Sequence, residues 1–341
     1  NAFRGRSVYT PMSSRRRPTG RYQLTMGPWY HLTAASHDFD PTMLAWFDHW
    51  LKAQNTGITH TRKPAHLYLL GANRFVNESR WPPPRLRPTT WFLGAGRTGS
   101  APGSQNDGSL SRTRPAAKTG ADQITWLPPD LNCSRELDQW SMGAFEDVAG
   151  PSNPDSGPCA QNDALTESGP ASLTYTTTSF KRASVIGGPV DATVYASSTR
   201  PQTELVGTLE DVAPNGTSTP ITTGALLGSL RSVDPGRSWR TVGGRYLLPY
   251  HPYTVGSGQP VPVGRVTRFD IEIRPTFAEI AAGHRLRLTI TTSDLPTLVP
   301  PESDVPNLLG GIYSVQRNAR SASYLEVLSS SASKLGLPAH R

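Results

Sequence analysis

The segment Gly27-Pro28-Trp29-Tyr30-His31 places one imidazole directly after a short apolar run. The run, at residues 22–26, predicts a buried strand, and the Gly-Pro pair predicts a turn that ends it. A histidine at the tip of such a turn can act as a general base, because it is exposed while its flanks are held. His31 is therefore the candidate catalytic residue. The alternative is an ordinary surface histidine.

Two further elements would hold this loop in place. Asp40 and Pro41 are typical of the first turn of a helix, and Gly57 is typical of a stop beyond its end. Residues 65–70 predict a second strand, whereas the prolines within residues 73–84 predict an irregular arm. Apolar residues at helical spacing predict that one helix face packs on a core: Met43, Leu44, Phe47, Trp50 and Leu51.

The rest of the chain reads as short strands. Residues 191–196 and 268–273 alternate between polar and apolar types, which predicts half-buried antiparallel strands. A Gly/Ser/Arg-rich stretch at about 94–120 predicts a long, mobile surface loop. The pattern as a whole favours an all-β sandwich or jelly roll. The predicted strands are residues 89–93, 173–180, 190–196, 205–212, 226–233, 266–273, 286–292 and 324–328.

Composition limits the function classes. The chain has 341 residues, 31 glycines, 32 prolines and a net charge of +8. It carries no nucleic-acid-binding motif and no apolar stretch long enough to span a membrane, so we expect neither partner. His31, His37, Asp38 and Asp40 fit no defined metal geometry. We therefore expect no metal and no cofactor.

Two cysteines, Cys133 and Cys159, lie in neighbouring polar loops. They could form one disulfide that closes a loop of about 25 residues and stabilises the fold by about 3 kcal/mol. Such a bond would indicate an oxidising compartment. Two unrelated buried thiols are the alternative. Alkylation that adds mass only after reduction would distinguish the disulfide from free thiols.

Five segments occur in an order that resembles one group of α/β-hydrolases. They are residues 27–31 (GPWYH), 46–52 (WFDHWLK), 69–75 (LLGANRF, followed by Trp81-Pro82), 209–216 (LEDVAPNG) and 283–288 (GHRLRL, followed by Ser293 and Pro296). The group includes cocaine esterase, X-prolyl dipeptidyl-peptidase and α-amino-acid ester hydrolase. The resemblance covers residues from about 20 to 330.

The resemblance implies a serine hydrolase with a Ser-Asp-His triad in which His31 is the base. It implies that residues 1–88 are the C-terminal remnant of an α/β-hydrolase domain. Residues 89–341 would then form an all-β jelly-roll domain of the galactose-binding-like type. The implied substrates are small acyl esters, amides or X-Pro peptides.

The other two triad members have no counterpart here. In α/β-hydrolases the serine and the acid precede the histidine. The thirty residues before His31 contain no Asp or Glu, and the chain contains no G-x-S-x-G motif. We therefore expect the serine and the aspartate upstream of residue 1, in a longer polypeptide, and we expect the isolated chain to be inactive. The alternative is a non-catalytic jelly-roll binding protein from a truncated gene.

The cysteines also take part in the resemblance. Cys133-Ser134, then Gln139-Trp140, then Cys159 is similar to a pattern in some secreted bacterial members. The resemblance therefore implies a Cys133–Cys159 disulfide and export to the cell envelope or beyond.

Overall fold

A computed structural model describes residues 22–28, 40–127, 162–165, 167–293 and 299–337. Neither α-helix of these residues is long and apolar enough to cross a membrane. The helices are α1 (Asp40–Lys52) and α2 (Val305–Leu308). The strands are β1 (Leu24–Met26), β2 (Ala65–Leu69), β3 (Arg74–Glu78), β4 (Arg87–Gly94), β5 (Gly108–Ser111), β6 (Ala121–Thr125), β7 (Ser172–Thr176), β8 (Ser184–Ser198), β9 (Glu204–Val212), β10 (Ser218–Leu227), β11 (Trp239–Arg240), β12 (Tyr246–Leu248), β13 (Thr267–Ile280), β14 (Arg285–Thr291), β15 (Ile312–Gln316) and β16 (Tyr324–Ser331).

The first three strands form a small sheet in the order β1-β2-β3. β1 and β2 are parallel, and α1 lies in the connection between them, as a parallel pair requires a crossover. β3 is antiparallel to β2. The prediction of an irregular arm at residues 73–84 was therefore wrong for Arg74–Glu78. These five residues precede the proline run, so their backbone donors are free to pair with β2.

Eleven strands form a second, larger sheet in the order β10-β9-β14-β7-β5-β4-β16-β8-β15-β6, with β13 on β8. Only the β5–β7 pair is parallel among these described strands. β13 also comes beside β10, where Thr222 Oγ1 donates to the Arg274 carbonyl at 2.9 Å. The strands are so close there that a Cβ on Gly224 would lie 2.0 Å from the Glu272 carbonyl oxygen. The large sheet thus folds back on itself around an apolar core.

Two clusters of apolar side chains fill the interior. The main cluster lies inside the large sheet and includes Leu93, Tyr175, Val194, Leu209, Phe269, Ile271, Leu288 and Val327. A second cluster lies under the small sheet, where Leu67 and Leu69 of β2 pack with Phe277 of β13 and Leu335. The small sheet therefore shares its buried side with the large one.

Backbone hydrogen bonds also join the two sheets. Leu70 N donates to the Phe277 carbonyl at 3.0 Å, and Glu279 N donates to the Leu70 carbonyl at 2.9 Å. Gly71 follows with φ of 78°, and a Cβ there would lie 2.4 Å from the Glu279 carbonyl oxygen. Glycine is required at this position both for the left-handed conformation and for the close approach.

The predicted strands around 173, 190, 205, 266, 286 and 324 all correspond to observed strands. The prediction at residues 226–233 was wrong, because β10 ends at Leu227 and residues 228–230 form a 3-10 turn. The observed β10 begins instead in the polar segment at 218–223, where the sequence shows little apolar alternation. Pairing with β9 determines this strand, and a search for apolar alternation misses it.

The stretch at 94–120 differs from the long mobile surface loop predicted. It is mostly exposed, but it contains β5, which pairs with both β4 and β7 inside the large sheet. Asp107 holds the turn before β5, since its carboxylate accepts hydrogen bonds from Thr98 Oγ1 at 2.6 Å and Gly99 N at 2.6 Å. Short residues dominate the composition, so only Leu110 signals the buried strand.

Arg287 on β14 is fully buried and joins several parts of the chain. Its Nε donates to Thr176 Oγ1 at 2.9 Å, and its Nη2 donates to the Ser100 carbonyl at 2.8 Å. Nη1 forms an ion pair with Glu167, which is also buried. A charge in the interior is stable only when it is paired and hydrogen-bonded. Arg287 therefore fixes the segments around Ser100 and Glu167 against the sheet.

Replacing Arg287 by methionine would leave the Glu167 carboxylate buried without its partner. We expect the free energy of unfolding to fall by about 3–5 kcal/mol, measured by urea denaturation at neutral pH. Arg265→Met is the matched control, because Arg265 is exposed, and it should leave the midpoint unchanged. A loss below about 1 kcal/mol for Arg287→Met would contradict this role.

Candidate functional site

His31 lies outside the described residues, but the elements on either side of it are described. β1 ends at Met26, and Gly27 and Pro28 follow it. Residues 29–39 then connect the carboxyl end of β1 to α1. In α/β sheets, the loops after the carboxyl ends of parallel strands carry the ligand-binding and catalytic groups. In chain order His31 comes after the carboxyl end of β1, and its catalytic role stays a prediction.

Cys133 and Cys159 also lie outside the described residues. Their pairing stays a prediction.

The position of α1 was predicted correctly from the sequence, but its packing was not. α1 begins at Asp40, as predicted, and ends at Lys52, where Ala53 takes a positive φ of 54°. Gly57 is not its stop; it precedes a 3-10 turn. Asp48 and Lys52 form an ion pair of 2.7 Å one turn apart. Thr56 Oγ1 donates to the Ala45 carbonyl at 2.8 Å, which holds the following segment along the helix.

The apolar face of α1 does not pack on a core in this chain, so that prediction was wrong. No residue of the helix is buried. The exposed fractions of its apolar side chains are 50% for Met43, 59% for Leu44, 52% for Phe47, 49% for Trp50 and 76% for Leu51. The sequence pattern correctly indicated which side is apolar, but nothing among the described residues covers it. A contiguous exposed apolar face of this kind marks an interaction site.

One histidine of the described residues is oriented by a carboxylate as a catalytic histidine would be. His284 Nδ1 lies 2.9 Å from Asp211 Oδ1 and 3.0 Å from Oδ2. Burial raises the pKa of Asp211, and the hydrogen bond from His284 offsets part of that rise. No described hydrogen bond joins the other ring nitrogen of His284 to a serine, threonine or cysteine. The pair therefore connects the start of β14 to β9 and lacks a nucleophile.

A cluster of four carboxyl groups lies on one face of the large sheet. We call Asp191, Asp270, Glu272 and Glu326 the acidic cluster. The strand register places Asp191 directly opposite Glu272 on one side and Glu326 on the other. The alternation at 191–196 and 268–273 correctly predicted antiparallel strands. Their polar side is exposed at Arg268 and partly exposed at Glu272, and "half-buried" was wrong for Asp191 and Asp270, which are 0% and 5% exposed.

Thr193 and Arg268 hold the two aspartates of the acidic cluster in place. Thr193 Oγ1 lies 2.7 Å from Asp191 Oδ2 and 2.8 Å from Asp270 Oδ1. A hydroxyl donates one proton, so the second contact requires a protonated carboxyl group. Burial, and then the charge of Asp270, raise the pKa of Asp191 well above its ordinary value. Arg268 donates to Asp270 Oδ1 through Nε at 2.9 Å and Nη2 at 2.7 Å, so Asp270 has a cation as its partner.

The segment around β11 and β12 covers this face. β12 packs over β8 and β16. His251 links the segment to β13, because its Nε2 lies 2.9 Å from the Asp270 carbonyl and its Nδ1 lies 3.0 Å from the Ser232 carbonyl. Carboxyl pairs that share protons can perform acid–base chemistry, but Asp191, Asp270 and Glu326 are buried and so are closed to a substrate. No three His, Cys, Asp or Glu side chains within the described ranges are placed to hold a metal ion.

Sequence reasoning missed the acidic cluster and the buried Arg287. In both cases polar residues alternate with apolar ones along a strand, which is also the pattern of a strand that faces water. The one available signal was the number of charges, since three of them occur in the six residues at 268–273.

A comparison with protein-family models matches residues 51–326 to the model described as the X-Pro dipeptidyl-peptidase C-terminal non-catalytic domain. The match spans both sheets except β1 and the last part of β16. It also crosses residue 88, and the domain boundary expected there stays a prediction.

The three similar proteins described next are each about twice as long as this chain. A Mycobacterium bovis protein that carries the name of a serine esterase is 26% identical over 284 residues, covering 80% of this chain and 40% of that protein. Cocaine esterase of a Rhodococcus species is 22% identical over 311 residues, covering 87% and 47%. The crystal structure of an aminopeptidase from a marine-sediment archaeon of the Thaumarchaeota has a TM-score of 0.65 at 17% identity, covering 92% and 50%. The resemblance to the cocaine esterase and X-prolyl dipeptidyl-peptidase family is thus confirmed, and the chain spans about half the length of these proteins or less.

The acidic cluster generates a prediction about pH. Burial raises the pKa of Glu272 to about 7. The folded state therefore binds the Glu272 proton more tightly than the unfolded state does. The stability that this proton contributes is fully present below about pH 4.5 and is lost as the pH rises through 7. We expect Glu272→Gln to be more stable than the parent by about 2 kcal/mol at pH 8 and equal to it at pH 4.5.

The measurement is chemical denaturation at both pH values. Glu302→Gln, at an exposed position, serves as the control and should follow the parent at each pH. Equal stability of Glu272→Gln and the parent at pH 8 would show that the Glu272 carboxylate is not penalised by burial.

Proposed function

The chain belongs to the family of the X-Pro dipeptidyl-peptidase C-terminal non-catalytic domain, and we propose that it is the C-terminal part of a serine hydrolase of the cocaine esterase type. Two relatives carry esterase names, and one similar structure is that of an aminopeptidase. The chain spans 40–50% of these proteins. The active enzyme is therefore proposed to be a longer polypeptide, with the catalytic serine and aspartate upstream of residue 1.

The exposed apolar face of α1 is the observation that carries this proposal. Five large apolar side chains on one helix are at least 49% exposed. Exposing such a face costs free energy in water, since a buried Leu or Phe side chain gains about 1.5–3 kcal/mol. The upstream hydrolase segment is the proposed occupant. It would cover the face that Phe47 and Trp50 present.

The small sheet supports the same assignment. β1 is an edge strand among the described residues, and its one described partner, β2, is parallel to it. Parallel strands with crossover helices occur in sheets covered by helices on both faces. We propose that β1, α1 and β2 are the C-terminal remnant of an α/β-hydrolase domain whose remaining strands continue beyond β1. The eleven-stranded sheet would then be the jelly-roll domain.

His31 is proposed as the general base of the triad. In the reaction of a serine hydrolase, the imidazole takes the proton of the serine hydroxyl as that oxygen attacks the acyl carbon. It then returns the proton to the leaving alcohol or amine. Triad members act as a unit, and a base without its nucleophile contributes little. The proposed substrates are acyl esters or amides, including X-Pro peptides, and the isolated chain is proposed to be inactive.

Labelling with a fluorophosphonate, which reacts with activated serines, tests this function. The chain of 341 residues should remain unlabelled, because it holds the base and lacks the nucleophile. The longer polypeptide that includes the upstream segment should be labelled on one serine upstream of residue 1. Heat-denatured polypeptide serves as the control for nonspecific reaction.

Stoichiometric labelling of the 341-residue chain would contradict the proposal. An unlabelled longer polypeptide that is folded by circular dichroism would also contradict it.

A further inference from the structure

A second feature of the structure lies at the junction of the two sheets. Three cations and three serines line a cleft of about 380 Å³. We call it the basic cleft; it consists of Arg85, Arg87, Ser329, Ser330, Ser331 and Lys334. Arg87 begins β4 and lies directly opposite Ser329 of β16, so one pair of strands holds both sides of the cleft.

The positive charges of the basic cleft are not neutralised by ion pairs. No carboxylate lies within 4 Å of Arg85, Arg87 or Lys334 among the described residues. Glu78 is a carboxylate that does not line the cleft but interacts electrostatically with Arg85. Burial raises the pKa of Glu78, and the charges of Lys63 and Arg85 offset part of that rise. The cleft has three cations and no carboxylate in its lining, so it carries a net positive charge, which attracts anions.

Neutral groups hold both guanidinium groups in place. Arg87 Nη1 donates to the Pro84 carbonyl at 2.7 Å and to the Leu86 carbonyl at 3.0 Å. Arg85 Nη1 donates to the Lys334 carbonyl at 3.2 Å. A guanidinium group has five N–H donors. Each arginine thus keeps donors for a ligand while its position is already fixed, which lowers the entropic cost of binding.

Among the described residues the Ser330 hydroxyl makes no hydrogen bond and keeps its proton for a ligand, whereas the Ser329 proton is already donated. Ser329 Oγ donates to Thr89 Oγ1 at 2.7 Å, and Ser331 Oγ lies 3.3 Å from Ser333 Oγ. The register of β16 with β8 shifts between Glu326 and Ser329, and beyond this shift Ser329, Ser330 and Ser331 pair with residues 186, 185 and 184 of β8. Arginine forks and hydroxyl groups together match the geometry of a tetrahedral oxyanion.

We propose that the basic cleft binds a ligand through a phosphate or sulfate group. The volume of about 380 Å³ accepts this group with a small organic substituent. The proposal does not depend on the proposed hydrolase function, because none of the six residues belongs to the loop that carries His31.

Isothermal titration of the 341-residue chain with inorganic phosphate, in a phosphate-free buffer and up to about 10 mM, tests the proposal. We expect saturable binding that weakens with added sodium chloride. Arg87→Gln and Lys334→Gln should each weaken it by about tenfold, because each removes one charge-assisted contact. The Lys334 ammonium makes no described hydrogen bond, so Lys334→Gln tests the site without a change in folding.

Lys118→Gln and Arg320→Gln are matched controls, because these cations line a different cleft of about 600 Å³. They should leave phosphate binding unchanged. Titrations with glycerol 1-phosphate and with inorganic sulfate identify the class of the natural ligand. If glycerol 1-phosphate binds most tightly, the ligand is an organic phosphate. If inorganic phosphate or sulfate binds most tightly, the ligand is that free ion. Acetate at equal ionic strength tests the preference for a tetrahedral group.

Three results would overturn the proposal. The first is the absence of a saturable heat with phosphate, sulfate and glycerol 1-phosphate. The second is binding of acetate as tight as that of phosphate. The third is that the control substitutions at Lys118 and Arg320 weaken phosphate binding as much as those at Arg87 and Lys334.

Discussion

Two backbone hydrogen bonds between Leu70 and the Phe277–Glu279 segment of β13 fix the small sheet on the large one. The contact leaves no room for a side chain at Gly71. It also places the apolar side of β2 on Phe277, so burial and hydrogen bonding act at the same junction. The position of β1, the described strand that precedes His31 in the chain, therefore depends on the large sheet, because β1 pairs with β2 and β2 is fixed to β13.

In the proposed enzyme, this junction would link the large sheet to the catalytic histidine. A catalytic histidine must be held within a fraction of an ångström of its productive geometry, and β1 alone contributes only three residues to the sheet. In that proposal the large sheet would supply the rigidity, through its own core and through the buried Arg287–Glu167 pair. On this view the large sheet supports the reaction without contacting the substrate, which agrees with the description of the family as non-catalytic.

The sequence correctly predicted features that depend on neighbouring residues in the chain, such as where a helix begins and which segments form strands. Asp40 and Pro41 correctly indicated the start of α1, and β-branched runs correctly indicated most strands of the large sheet. What covers each face could not be predicted, because alternation and helical periodicity show which side is apolar but not what packs there. The apolar face of α1 is exposed, whereas the polar face of β8 is buried under β12. The role of His31 was inferred from a motif alone, and His31 lies outside the described residues.

The account as a whole rests on His31 as the base of a triad completed by the upstream segment. The most direct measurement is kcat for hydrolysis of a p-nitrophenyl ester by the longer polypeptide, with His31→Gln compared with His37→Gln. The account predicts that His31→Gln lowers kcat by about a thousandfold or more, while His37→Gln leaves it within about threefold of the parent. A loss of less than about tenfold for His31→Gln in a folded protein would contradict the account.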